Sequence, residues 1–283
     1  MLPESALVRP DWTAPPGVGA LMTTRAGGVS AGPLASLNLG RTVGDTPEAL
    51  AENHRRFAAS LRAREDDGAT PARPVWLRQV HGSHVLELDE QTPDRPDEPA
   101  DAAWTRTPGV ACVVGAADCL PVLLAAPDGR AVAAAHAGWR GLAGGVLEAT
   151  VGALERGAGV RPAELLAWLG PCIGPRQFEV GADVLRAFGV EPSAADAPGF
   201  RYAPRRDGAP RWRADLRGLA RQRLQRLGVR RITASQACTY EDESRFFSFR
   251  RDGQREPPSP SGRMAAAIWL QPGRVATAPR LPL

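Results

Sequence analysis

The stretch "DCLPVLLAAPDGRAVAAAHAG", residues 118–138, sets two apolar runs on either side of "PDGR" and ends in a histidine followed by glycine. Pro127 and Asp128 open a tight turn and Gly129 relieves its strain, so the segment predicts a β-hairpin. With Asp128 and Gly129 at the tip, Pro121 faces His136 and Cys119 faces Gly138. Side chains alternate with a period of two, which puts Cys119 and His136 on one face as diagonal neighbours, about 7 to 8 Å apart. A four-residue loop keeps that register; three or five residues would send the two groups to opposite faces. Polar groups then collect at the open end of an apolar hairpin, where strands give way to loops and sites are built. Asp118 points to the other face and reads as a capping group rather than a ligand.

The flanking sequence places this hairpin at the centre of an α+β fold, with central strands and flanking helices in one domain spanning 1–283. "GVACVV" before it makes a third short buried run. "TPEALAENHRRFAASL" predicts a helix with Thr46 as cap, Pro47 at its first position, and Leu50, Phe57, Ala58 and Leu61 on its apolar side. "LAGGVLEATVGALERG" predicts one helix carrying Leu147, Val151 and Leu154, closed by Gly157. "VGADVLRAFG" reads as a short helix, and "DLRGLARQRLQRLGV" as an amphipathic one ending at Gly228. "VGALMTT", "AELLAWL", "RRITASQACTY" and "GRMAAAIWL" read as strands, the first followed by a glycine-rich loop and a short return. "PVWLRQVHGSHVLEL" is two β-like pieces broken at His81 and Gly82. Residues 89–101 read as an acidic loop and 191–211 as a long irregular one.

Composition narrows the function classes. The chain has 283 residues, 43% hydrophobic and 23% charged, with 30 Gly and 27 Pro, as expected of a turn-rich globular protein. Its net charge of +4 comes entirely from arginine on the basic side, interspersed with acids. "RYAPRR" and "RQRLQR" read as solvated surface, so no nucleic-acid partner is expected. No apolar run reaches eighteen residues, and "MLPESALVRPDW" lacks the pattern of a leader, which predicts a cytoplasmic protein without membrane attachment. Four scattered cysteines, Cys112, Cys119, Cys172 and Cys238, fit free thiols or metal ligands better than a disulfide framework.

A metal held by Cys119 and His136 needs a third ligand. His54, beside two arginines on the first helix, reads as a solvated helix-face residue; His81 and His84 compete, and spacing barely separates them. Two histidines and a cysteine would form a three-ligand zinc site with one open position, the form of a catalytic rather than a structural metal. His2Cys also suits copper, although the methionines, at 1, 22 and 264, do not supply a blue-copper spacing. The same atoms would serve equally as a thiolate nucleophile with His136 as base, or as a hydrogen-bonded core pair.

"TTRAGGVSAGPLASLNLG", "QVHG", "DCLPVLL", "HAGWRG", "LGPCIGP", "FEVG" and "FFSFRRDG" followed by "GRMAAAIWL" run in order from about residue 20 to residue 270. Together they resemble the laccase-domain family, described variously as multicopper polyphenol oxidase, purine nucleoside phosphorylase and peptidoglycan editing factor. The resemblance implies a single domain of the cysteine-hydrolase type. It implies zinc, or sometimes copper, on His81, Cys119 and His136, and so selects His81 over His84. It implies phosphorolysis of adenosine, inosine and methylthioadenosine, with adenosine deamination. Removal of serine from a peptidoglycan precursor and copper-dependent phenol oxidation are the alternative activities it carries. For a phosphate co-substrate, Arg25 beside two glycines and Arg140 at a helix start are the candidate anion holders. Asn38 and Ser36, Cys172, Phe178, and Arg250 with Arg251 resemble pocket positions. The partners expected are small molecules, a purine nucleoside and phosphate, met by a monomer. "QREPPSPS", 254–261, is longer than the link usual in the family and puts the geometry around Arg250 and Arg251 in question, not the triad.

Overall fold

The computed structural model describes residues 1–13, 15, 17–62 and 70–271. Its elements run β1 (Leu7–Val8), β2 (Val18–Thr23), α1 (Pro47–Ala58), β3 (Arg73–Trp76), β4 (Val85–Glu87), β5 (Ala102–Thr105) and β6 (Val110–Ala116). There follow β7 (Leu120–Ala125), β8 (Val132–Ala137), α2 (Trp139–Ala143), α3 (Val146–Ala158), β9 (Leu166–Leu169), β10 (Glu179–Val180) and α4 (Ala182–Ala187). The rest are β11 (Phe200–Tyr202), β12 (Trp212–Ala214), α5 (Leu216–Arg226), β13 (Arg231–Ala234), α6 (Phe249–Gly253) and β14 (Met264–Leu270).

The hairpin forms in the expected register. Pro121 pairs with His136 and Leu120 with Ala137, and the turn closes through Ala126 N–H to Ala131 O at 2.9 Å with Gly129 at φ 71°. It lies at the heart of a six-stranded sheet, β13-β9-β7-β8-β5-β4, packed on a five-stranded sheet, β1-β2-β14-β6-β3. The period-two alternation of the hairpin then has two different partners. Leu123, Ala125, Val132 and Ala134 share a core with Cys112, Val114, Ala266 and Ile268 of the other sheet. Val122, Leu124, Ala133 and Ala135 pack against Leu147, Val151 and Leu154 of α3 and Leu216, Leu219 and Leu224 of α5. Burial on both faces is why the strands read as unbroken apolar runs. Across the five-stranded sheet, Leu21, Val113, Ala265 and Trp269 cover Phe57 of α1. Four layers result: helix, sheet, sheet, helices. This is the mixed α/β arrangement the pattern predicted.

Local signals decide the helix ends. Thr46 Oγ1 accepts the Ala49 N–H at 3.2 Å to cap α1, and Asp215 Oδ1 accepts from Gly218 at 3.0 Å to cap α5. Four expectations are corrected. The helix foreseen over "LAGGVLEATVGALERG" is two, because Gly145 turns at φ 93° between α2 and α3. Gly157 does not close α3; it lies inside it, where a Cβ would come 2.3 Å from the Trp104 ring, and Gly159 at φ 63° ends the helix. The 191–211 stretch contains β11, which pairs with β12 in a three-stranded sheet with β10. After the glycine-rich loop the chain makes a 3₁₀ turn at Gly32–Leu34 and no return strand. No helix among the described residues is long and apolar enough to cross a membrane.

Candidate metal centre and its two cavities

His136 continues the parity of Val132 and Ala134, so its ring emerges between the two sheets at the last position of β8 that faces there. Cys119 stands one residue before β7, in step with Leu123 and Ala125. His81 comes from the loop after β3, held at φ 62°, a left-handed conformation uncommon outside glycine. One ligand atom from each of His81, Cys119 and His136 lies within 4.8 Å of the others. Cys119 Sγ is 3.7 Å from His81 Nε2, and the two imidazole centroids are 4.8 Å apart. Gly138 makes this closeness feasible: a Cβ there would meet His81 Cδ2 at 2.8 Å and Cys119 Sγ at 2.9 Å. A side chain at 138 would push the thiol and the imidazole apart.

Asp101 organises the cluster and was not singled out in the sequence. Fully buried, it accepts the His136 Nδ1–H at 2.8 Å and the main-chain N–H groups of Val80, His81 and Gly82 at 3.0, 2.9 and 2.7 Å. One carboxylate therefore fixes both the ring of one ligand and the backbone of another. Burial works to raise its pKa, and the bonds from His136 and the amides more than offset it, holding the carboxyl below its ordinary value. Gln79 adds a second tether, exchanging two hydrogen bonds with Gly115 of β6 at 2.9 and 2.8 Å. With Nδ1 committed to Asp101, His136 presents Nε2 to the thiol.

Burial of Cys119 opposes ionisation, yet the charge and hydrogen bonds of His136 and His81 outweigh it and bring the thiol down to about 6. Burial likewise disfavours the His136 cation, while Cys119 and Asp101 hold it up at about 9. At neutral pH the pair is thiolate and imidazolium. Two imidazole nitrogens and a thiolate, converging beside open space, fit zinc or copper.

Two cavities meet at this cluster. The larger, about 470 Å³, has His81, Cys119, His136, Ala117 and Phe249 in its wall. The smaller, about 210 Å³, shares His81, Cys119, Ala117 and Phe249 and adds Trp139, Ile173, Phe178 and Leu216. Arg140 and Arg250 also line the smaller one. Arg140 stacks on Trp139 at 4.3 Å, and Arg250 sits over Phe178 at 5.5 Å. α2, which carries Arg140, is only five residues long.

Other expected site residues fall behind the walls. Arg25 lines neither cavity: its guanidinium bonds the carbonyls of Ala35, Glu243 and Pro33 at 2.8, 3.3 and 3.2 Å and lies 4.5 Å over Phe247. Asn38 is buried and accepts the main-chain N–H groups of Gly40 and Arg263 at 2.8 and 3.0 Å. Cys172 is buried, its thiol pushed up to about 12, and its neighbour Ile173 reaches the cavity instead. Ser36 and Arg251 bond main-chain groups. His84 pairs with Glu98 at the surface, 2.8 Å away, well apart in role from His81. His54 is not simply solvated; it packs on Trp76 with centroids 4.6 Å apart. Asp118 does cap: its carboxylate accepts from Thr239 Oγ1, Ser248 Oγ and the Arg250 N–H at the start of α6. Phe249 and Arg263, both in the walls, were missed; each lay inside a quoted motif but carried no spacing signal of its own.

A four-layer α/β sandwich with an open His2Cys cluster between its sheets presents the donor set of a metal-binding centre beside two cavities. The chain belongs to the multi-copper polyphenol oxidoreductase laccase family, whose model matches residues 19–271. It is 47% identical over 267 residues to a Pseudomonas aeruginosa protein named purine nucleoside phosphorylase, covering 94% of this chain and 99% of that one. It is 45% identical over 266 residues to purine nucleoside phosphorylase YfiH of Escherichia coli, with the same coverage. Among solved structures, YlmD from Geobacillus stearothermophilus superposes with a TM-score of 0.79 at 30% identity, covering 96% of this chain and 98% of the other.

Proposed function

We propose that this protein is a zinc-dependent purine nucleoside phosphorylase that also deaminates adenosine, working as a single-domain cytoplasmic monomer on small substrates. The observation that carries the reading is the thiolate and imidazole cluster set in the wall shared by two cavities, in a chain similar over nearly its whole length to proteins named phosphorylases. The phenol-oxidase alternative has the family's description on its side but not the names of the relatives quoted above, and the amidase alternative has neither.

In phosphorolysis an oxygen of phosphate bonds to ribose C1′ as the C1′–N9 bond breaks. The electron pair leaves with the purine, which takes up a proton, giving free base and ribose 1-phosphate. His81, Cys119 and His136 would hold the ion, which when bound supplies Lewis acidity and lets water lose a proton near neutral pH. Phe178, Trp139 and Phe249 offer flat apolar surface to a purine. Asp101 keeps His136 oriented through Nδ1, and Arg140, stacked on Trp139, lines the smaller cavity beside the ring that would meet the base. Asn38 and Arg25 act from behind, holding the loops that shape the wall, and Cys172 backs Ile173.

Zinc-loaded protein incubated with adenosine and phosphate should release adenine and ribose 1-phosphate, and without phosphate should yield inosine and ammonia. His136→Ala should lower both rates on the order of 100-fold. Metal-loaded protein that forms none of these products would end the proposal.

A further inference from the structure

The wall of the larger cavity carries four guanidinium groups, Arg41, Arg78, Arg95 and Arg263, and no carboxylate. Arg41 is neutralised by Asp94 at 3.1 Å. Among the described residues, no carboxylate lies within ion-pair distance of Arg78, Arg95 or Arg263. Arg263 is fixed at its base. Its main-chain N–H donates to Asn38, and its Nη1 donates to the carbonyls of Ser261 and Gly262 at 2.8 and 3.1 Å. Its guanidinium carbon lies 5.7 Å from the Phe249 ring centroid, and Nε and Nη2 have no hydrogen-bond acceptor among the described residues. Arg95 is held at φ 63°, and with His81 and Asp118 it completes the set of described non-glycine residues in a left-handed conformation, all three of which line one or other cavity. Backbone conformations of this cost persist where surrounding structure enforces them, characteristically at ligand clamps.

Chemistry then assigns the two spaces. Phosphorolysis needs the purine and the phosphate on opposite sides of one ribose carbon, and the two cavities adjoin at His81, Cys119, Ala117 and Phe249. The smaller is walled by Trp139, Ile173, Phe178 and Leu216, which suits a base, and its two guanidiniums, Arg140 and Arg250, share it with the Asp118 carboxylate. The larger, within the roughly 300–1,000 Å³ usual for small-molecule sites, has unpaired cationic forks that match a tetrahedral oxyanion. We infer that the arginine-lined cavity is the phosphate subsite of this reaction, with Arg263 the guanidinium that holds the oxyanion beside the ribose carbon. The inference rests on the phosphorylase reading for its reaction, but the anion site is testable without it.

The full-length, zinc-loaded protein is titrated with inorganic phosphate alone, and in parallel with adenosine 5′-monophosphate, following thermal unfolding and the phosphorus NMR linewidth. Inorganic phosphate should stabilise the wild type, and Arg263→Gln should weaken that response at least about tenfold, with Arg263→Lys between them. In turnover, Arg263→Gln should raise the phosphate KM roughly tenfold while the adenosine KM and zinc content change less than about twofold. If Arg263→Gln does not fold, the double variant Arg78→Gln with Arg95→Gln carries the same measurement. An unchanged phosphate response in the folded variant overturns the subsite, as does a response confined to the monophosphate ester, which would assign the cavity to a nucleotide's phosphate. Phosphate binding that depends on Arg263 in a protein without phosphorolysis would sink the activity and leave the subsite standing.

Discussion

Asp101 is the residue on which the centre's geometry turns, because it bonds to a ligand ring and to the loop of a second ligand at once. Asp101→Asn keeps the shape but loses the charge that holds the His136 cation. Metal affinity should fall about 10- to 100-fold, as read by competition with a chromophoric chelator. Gly138→Ala is a cleaner probe of closeness. The backbone there, φ −63° and ψ 158°, accepts alanine, and its Cβ would press first on His81 and Cys119. Metal content should drop while the unfolding temperature of the metal-free protein moves little. The protonation states give a third expectation. Between about 6, the Cys119 value, and about 9, the His136 value, the metal-free pair is thiolate and imidazolium, and binding requires neutral imidazole. Zinc binding at pH 7.5 should therefore release about one proton from this pair. That release should vanish as pH rises through 9, and a second proton should join it as pH falls through 6 and the thiol becomes protonated. Calorimetry in buffers of different ionisation enthalpy measures it.

At the scale of elements, the hairpin and helix α3 make opposite demands. β7 and β8 are buried on both faces, so a one-residue insertion between Gly129 and Arg130 that shifted their register would send His136 and Ala134 toward α3, and Ala133 and Ala135 toward the other sheet. Helix α3 crosses Trp104 through Gly157, where no side chain fits. Gly157→Ala gains helix propensity yet should cost about 1–3 kcal/mol through overpacking. That corresponds to a drop of several degrees in calorimetric unfolding temperature, with the metal site intact. Element boundaries were legible where a local signal set them: the Thr46 cap, the stop at Gly228, the turn at Gly129. They were illegible where packing set them. Gly144 and Gly145 read as tolerable inside one helix, and only the docking of α2 beside β8 and α3 across the sheet separates them. β11, three residues long, has no pattern of its own and exists because β12 lies beside it.

Across the whole molecule, the three candidate ligands arrive from three places: the loop between β3 and β4, the entry to β7 and the end of β8. An ion bound there would cross-link the loop after an edge strand of one sheet to the hairpin of the other, an arrangement of the three side chains that only the folded chain has. Unfolding in excess zinc should therefore need about 2.7 kcal/mol more at a free concentration 100 times the dissociation constant. Chelation should lower the unfolding temperature of the wild type and leave Cys119→Ala unmoved, a contrast visible by scanning calorimetry.

The sequence alone determined the hairpin and, for a four-residue loop, the sharing of a face by Cys119 and His136, because turn chemistry and period-two burial are local; the closed structure fixed the loop length and with it the register. The sequence did not separate His81 from His84 without the resemblance, nor did it reveal Asp101 or Arg263. Those roles belong to groups tens to hundreds of residues apart, brought together by the stacking of two sheets. A carboxylate or guanidinium acquires its partners only when the chain around it has closed and taken the water away.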